Sequence, residues 1–152
     1  MRVVLDSPVG RIGYTVEGGK LTELGFEAGA ALAPAPDGCP VARQLDEYFR
    51  RERRTFDLEL APEGTEFQHA VWAELVKIPY GETRTYQQIA QRIGKPDAVR
   101  AVGAANGANP IALIIPCHRV IGCDGSLTGY AGGLDNKRRL LDFERGVASL
   151  FD

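Results

Sequence analysis

Cysteine and histidine are scarce: three of one (Cys39, Cys117, Cys123) and two of the other (His69, His118) in 152 residues. An odd thiol count with no Cys-x-x-Cys pair excludes a disulfide framework and argues against a thiolate zinc site. Free thiols, no metal and a reducing compartment are expected. Long apolar runs are also missing. The longest compact one, Ile111-Ala112-Leu113-Ile114-Ile115, is far too short for a membrane span. The start, Met1 to Asp6, meets an acidic residue too early for a signal peptide, so a cytoplasmic location is expected. Extreme charge is absent too. At 44% hydrophobic residues and a net charge of −2, the chain has the composition of a folded domain rather than a disordered one.

The small net charge conceals an asymmetry. Between Arg84 and Arg139 eight basic residues face three acidic ones, giving +5, so the remainder carries −7. A local basic surface on an acidic protein is compatible with nucleic acid, and equally with a solvated face.

Two textures divide the chain. Up to about Pro62, strand-like runs at Arg2–Leu5, Arg11–Val16 and Leu21–Phe26 are punctuated by turn residues, which predicts an antiparallel meander. An Ala-, Pro- and Gly-rich loop follows. Val41–Arg53 has helical spacing at Val41, Leu45, Tyr48 and Phe49, and Phe56–Leu60 alternates like a further strand. This half carries no evident chemistry. Beyond it, Thr65-Glu66-Phe67-Gln68 and Thr85-Tyr86-Gln87-Gln88 are capping boxes that each open a helix. A third helix is expected from about Ala98 to Gly107, ended by Asn109-Pro110, and a last one over Leu134–Arg145. The tight turn at Gly94 between two short helices suggests a helix-turn-helix. Its second helix is nearly bare, with Arg100 as its only charge. Such a helix serves either close packing or close approach to a phosphate chain.

Ile114-Ile115-Pro116-Cys117-His118-Arg119-Val120 carries the chemistry. An apolar, strand-like run stops at proline, and a nucleophile and a general base follow at once. An ordinary thiol is only slightly ionised at neutral pH, so reactivity needs a base or a positive field. Adjacent residues of a regular element point apart, so His118 would serve Cys117 only across a turn or through a bridging water. Glu144 is a candidate to orient the imidazole. A buried thiol beside an inert histidine is the competing reading.

The same residues resemble a known family, the O6-alkylguanine-DNA alkyltransferases (methylated-DNA–protein-cysteine methyltransferases). Pro116-Cys117-His118-Arg119-Val120 is similar to the family's active-site motif. So are Phe67-x4-Trp72, Ile78-Pro79-Tyr80-Gly81-Glu82-Thr83, Tyr86-Gln87-Gln88-Ile89-Ala90, Arg100-Ala101-Val102-Gly103, Gly129-Tyr130-Ala131-Gly132-Gly133-Leu134 and Leu140-Leu141-x-x-Glu144. The resemblance runs from about Gly64 to Gly146. It implies an α+β fold in two domains. Residues 1–62 would form a ribonuclease H-like scaffold, a small antiparallel sheet with a helix. Residues 63–152 would form a mostly helical, winged helix-turn-helix domain.

The implied activity is direct, irreversible repair of O6-alkylguanine in double-stranded DNA, with O4-alkylthymine a candidate second substrate. The target base is flipped out, and one alkyl group ends on Cys117 without any cofactor. The resemblance assigns proton acceptance to His118, its orientation to Glu144 and a hinge to Asn109. Tyr86, Tyr130, Ala131 and Val120 contact the base, with the Ala131 N–H and Tyr130 at O6. Arg100 fills the vacated stack, while Ala101, Gly103, Gln87 and Thr85 face DNA. Some members have serine at Ala131, and some hold zinc in the N-terminal region, where this chain has Cys39 alone. A monomer is expected, with cooperative coating of DNA left open. The rival readings are a non-catalytic sensor of alkylated DNA, a helix-turn-helix regulator and a cysteine hydrolase.

Overall fold

A computed structural model describes residues 1–127, 130 and 133–146. Among the described residues a small antiparallel sheet is combined with five α-helices. β1 (Arg2–Leu5), β2 (Ile12–Glu17) and β3 (Lys20–Phe26) form the meander in the order β1-β2-β3. Alternation sends Val3, Ile12, Tyr14 and Leu24 inward, and the register shift opposite Thr15/Val16 brings Leu21 to the same face, where all five are buried. α1 (Pro40–Phe49) lays Val41, Leu45 and Tyr48 into the same core.

α1 stops four residues before the predicted Arg53. Arg50 caps it, and Arg51 turns left-handed at φ 64°. The predicted strand Phe56–Leu60 is reduced to a single bridge between Leu60 and Leu21. Its alternation is real, with Phe56, Leu58 and Leu60 less exposed than Asp57 and Glu59. The Gln44 side chain, however, takes the place of a neighbouring strand. It donates to the Asp57 carbonyl at 3.0 Å and accepts the Asp57 N–H at 2.9 Å.

The other half is built on α2 (Glu66–Val76), α3 (Tyr86–Arg92), α4 (Val99–Gly107) and α5 (Leu134–Arg145). Both predicted capping boxes form, at Thr65/Gln68 and Thr85/Gln88. Gly94, at φ 76°, turns the chain from α3 towards α4. The Trp72 indole on α2 donates to the Ala105 carbonyl of α4 at 2.9 Å and ties the two helices together. Two short parallel strands, β4 (Arg84–Thr85) and β5 (Val120–Ile121), link the entrance of α3 to the residues after the Cys-His pair.

The run Ile111–Ile115 is not the strand that its composition suggests. Ile111 bridges Leu24 at the free edge of β3, where the Leu24 N–H donates to the Pro110 carbonyl at 2.8 Å and the Ala112 N–H to the Leu24 carbonyl at 2.9 Å. The chain then coils, with Leu113 left-handed at φ 69° and the Ile115 N–H donating to the Ile111 carbonyl at 3.1 Å. All five residues are buried, so a continuous apolar run reported burial on every side rather than strand geometry. The edge of the meander thus holds the loop that delivers Cys117.

Candidate active site

Pro116 ends the coil, and Cys117–Arg119 forms one turn of 3-10 helix. This is the turn that an adjacent Cys-His pair needs. Cys117 is 6% exposed and His118 is fully buried. The His118 Nε2 lies 2.9 Å from Glu144 Oε2 on α5. A carboxylate only accepts, so Nε2 carries a proton, and in the neutral ring Nδ1 then bears the lone pair. Nδ1 is buried without a partner among the described residues. It is a base with its acceptor atom unspent.

Glu144 is itself held. Arg119 forms a fork onto it, Nε to Oε1 at 2.7 Å and Nη2 to Oε2 at 2.9 Å, while Nη1 donates to the Ile78 carbonyl at 2.8 Å. The Tyr48 hydroxyl donates to Oε2 at 2.7 Å. Burial alone would push the Glu144 carboxyl up, but the His118 and Arg119 partners outweigh it and hold it well below the usual carboxylate range. Gly81 makes room for this corner. It sits at φ 81°, and a Cβ there would approach the Glu144 carbonyl to 3.2 Å.

Burial pushes the Cys117 thiol up, while a hydrogen bond from Asn109 and the charge of Lys137 pull it down. Burial wins, so the resting group is a thiol and a base has work to do. Asn109 also fixes the loop. Its Nδ2 donates to the Ile115 carbonyl at 2.8 Å, and its Oδ1 accepts the Ile111 N–H at 3.0 Å. Asn106, buried on α4, reaches the Cys117 carbonyl at 3.4 Å.

Lys137 was not singled out by sequence reasoning. It is fully buried on α5, and its ammonium lies 5.9 Å from the Tyr86 ring centroid. Burial lowers its pKa to about 8, against the raising effect of Cys117. The signal was present: Lys137, Leu140, Leu141 and Glu144 follow helical spacing on the buried face of α5. Lys137 and Arg119 therefore leave the basic surface expected between Arg84 and Arg139, since both are buried.

The remaining candidates separate by exposure. Tyr130 packs edge-on against Phe26, with ring centroids 5.7 Å apart, and its hydroxyl is buried without a partner among the described residues. Burial first, then the Cys117 and Glu144 charges, raise that hydroxyl well above an ordinary phenol, so it stays a donor. Tyr86 is half-buried at the start of α3. Arg100, Ala101 and Gln87 are exposed, and Gly103 is half-buried with Tyr86 Cδ1 4.0 Å from where a Cβ would sit. The Thr85 hydroxyl accepts the Gln88 N–H at 3.1 Å as a helix cap. Val120 is fully buried in β5 opposite Arg84, away from any open surface. Ala131 lies outside the described residues. Cys123 is exposed, and Cys39 contacts the Tyr14 hydroxyl at 3.0 Å. Among the described residues no group of three or more His, Cys, Asp or Glu gathers as a metal site, and no helix is long and apolar enough to cross a membrane.

Comparison with known proteins adds the following. Residues 66–146 match a family model described as 6-O-methylguanine DNA methyltransferase, DNA binding domain. A methylated-DNA–protein-cysteine methyltransferase from Methanosarcina barkeri is 52% identical over 149 residues, spanning 93% of this chain and 94% of the relative. The protein of that name from Mycobacterium tuberculosis is 48% identical over 159 residues, spanning 97% of this chain and 96% of the relative. The crystal structure of Mycobacterium tuberculosis OGT in complex with DNA superposes with a TM-score of 0.88 at 47% identity, covering 98% of this chain and 95% of that one.

Proposed function

Because the chain belongs to the 6-O-methylguanine DNA methyltransferase family, we propose that it repairs alkylated DNA by moving the alkyl group from guanine O6 to its own Cys117. The observation that carries the assignment to Cys117 is the state of His118. One ring nitrogen is locked on Glu144, and the other is buried, without a partner among the described residues, and one residue from a thiol that burial keeps protonated.

The thiol gives its proton to His118 Nδ1 through a water, and Glu144, charged through its fork with Arg119, stabilises the imidazolium that forms. The sulfur then bonds to the alkyl carbon as the carbon–O6 bond breaks. The electron pair stays on the base, which takes up a proton and becomes guanine. Tyr130 donates to the oxygen where that charge develops, as an oxyanion donor does. Lys137 offsets the developing thiolate charge. The product thioether offers water no leaving group, so each molecule acts once. No cofactor enters the scheme.

A thiol buried this deeply does not meet a carbon stacked inside a duplex, so the base is flipped out to reach it. α3 and α4 act as the helix-turn-helix, and the strand that precedes α3 supports the winged form of that motif. α4 lies against the duplex through Ala101 and Gly103, with Gln87 and Thr85 beside it and Arg100 filling the vacated stack. Tyr86 contacts the flipped base, Val120 backs the pocket from within, and the Ala131 N–H joins Tyr130 at O6. Asn109 hinges α4 to the reactive loop. The three-stranded sheet under one helix supports the ribonuclease H-like reading of residues 1–62. The partner is duplex DNA bearing O6-alkylguanine, met by a monomer.

Mass spectrometry on the intact protein tests this. After incubation with a duplex carrying O6-methylguanine, the expected result is one methyl group replacing the Cys117 thiol hydrogen, with product equal to protein and no turnover beyond it. Cys117→Ala is expected to bind the duplex and take no methyl group. An unmodified Cys117 overturns the assignment, and repeated turnover on esters or amides would favour a hydrolase.

A further inference from the structure

The carboxylate that orients His118 is shared with a residue from the far half of the chain. Glu144 Oε2 receives His118 Nε2 and Arg119 Nη2 at 2.9 Å each, and the Tyr48 hydroxyl at 2.7 Å. Tyr48 lies on α1, 96 positions away in sequence and outside the matched residues 66–146. It is 1% exposed. Its ring is fixed among Phe49, Phe56, Tyr80 and Phe143, with centroids 5.0 to 6.1 Å away. Burial, then the Glu144 charge, raise its hydroxyl well above an ordinary phenol, so it is protonated and can only donate to the carboxylate.

We propose that Tyr48 is a positioning residue for alkyl transfer: by donating to the same oxygen as His118, it limits how tightly Glu144 holds an imidazolium, so that the ring stays neutral and able to accept the thiol proton. This rests on the proposed roles of Cys117 and His118. A carboxylate oxygen that loses one donor becomes a stronger acceptor for those that remain, and a protonated partner gains most. Other charged or titratable groups surround the pair. Arg119 forks onto Glu144, Arg51 donates to the Phe143 carbonyl at 2.8 Å, Arg54 lies over the Tyr80 ring, and Tyr80, Tyr130 and Lys137 complete the setting. None of them is altered by Tyr48→Phe, which keeps the ring and deletes one hydroxyl.

The test is the pH profile of single-turnover methyl transfer, with His118 ring nitrogens followed by NMR in the same proteins. For Tyr48→Phe the acid limb is expected to move to higher pH by about half a unit, with the imidazole titration moving equally and the rate above the limb nearly unchanged. A folded variant whose rate falls equally at every pH, with no movement of the limb, makes Tyr48 merely structural and overturns the proposal. A shift to lower pH also overturns it. Should the variant fold poorly, the wild-type Tyr48 hydroxyl proton provides a second reading. It is expected to change resonance as His118 titrates, and an unresponsive proton counts against the coupling. A wild type that takes up no methyl group overturns the functional reading instead, and the NMR titration still decides the role of Tyr48.

Discussion

α4 and α5 flank the reactive turn and do their work in opposite ways. α4 presents Arg100, Ala101, Ala104 and Gly107 outward and has almost nothing to offer but backbone. α5 is dense with charge, yet two of its charged groups face inward, Lys137 towards Cys117 and Glu144 onto His118 and Arg119. One helix is shaped for a surface that must come close, and the other supplies a field to a buried site. The contrast teaches that composition reports the outward face of a helix well and its buried face poorly. A charge-rich helix is ordinarily a solvated one, and here helical spacing is the one local signal that separates its two inward charges from the rest.

The most disruptive way to break the α5 side is Glu144→Gln. The amide keeps the volume but removes the charge that Arg119 and His118 share. If its NH2 faces His118, the ring must present a lone pair at Nε2 and carry its proton on Nδ1, the wrong tautomer for a base. Methyl transfer is expected to fall about 100-fold. Leaving Arg119 buried without its partner is expected to cost about 3 kcal/mol in urea unfolding. The pH dependence gives a second check. The folded Glu144 carboxyl ionises well below the ordinary range, so its contribution is complete above about pH 4.3 and is lost as pH falls towards the folded value. Glu144→Gln is expected to lose that part of the acid sensitivity.

The α4 side is sharpened by Arg100→Ala, which touches neither the thiol nor its base. Transfer from a duplex is expected to fall about tenfold, because nothing then props open the vacated stack. Transfer from free O6-methylguanine base is expected to stay unchanged. Equal losses on both substrates would place Arg100 in the reactive pocket rather than at the DNA face. The salt dependence of duplex binding is expected to be shallow, since two of the basic residues counted in the Arg84–Arg139 segment, Arg119 and Lys137, are buried.

Much of this was legible in the chain. The meander, both capping boxes, the bare helix and the limits of α5 follow from local rules that act within a few residues. The pairing of His118 with Glu144 was a candidate on chemistry alone, and it stands at 2.9 Å. What local rules did not reach is non-local. The coil at Leu113 is set by the β3 edge capturing Ile111, and the extended segment 56–60 by the amide of Gln44. Tyr48 reads as one more apolar position on α1, because nothing near it in sequence says that its hydroxyl will find a carboxylate. Arg119 likewise reads as a basic residue next to a histidine until α5 folds back over it.

Lys137 offers the mildest and most specific probe of the buried field. Lys137→Met fills the same space without a charge. Cys117 then loses the cation that favours its thiolate, and transfer is expected to slow severalfold rather than vanish, because His118 still accepts the proton. The pH dependence of stability separates this role from packing. Lys137 is held near pKa 8 in the folded chain against 10.5 ordinarily. Between those values the unfolded chain binds a proton that the folded one does not, so stability rises with pH across that window. Cys117 works in the other direction. Its folded pKa is raised, and its contribution is lost as pH climbs through the folded value. The two overlap, so the clean measurement is made in Cys117→Ala. There, urea unfolding is expected to show stability increasing above about pH 8, and adding Lys137→Met is expected to flatten that rise while stabilising the protein at pH 7. A Cys117→Ala protein whose stability does not climb above pH 8 would mean that Lys137 keeps its proton in the fold. The field at Cys117 would then come from a permanently charged lysine rather than from one poised to lose its charge.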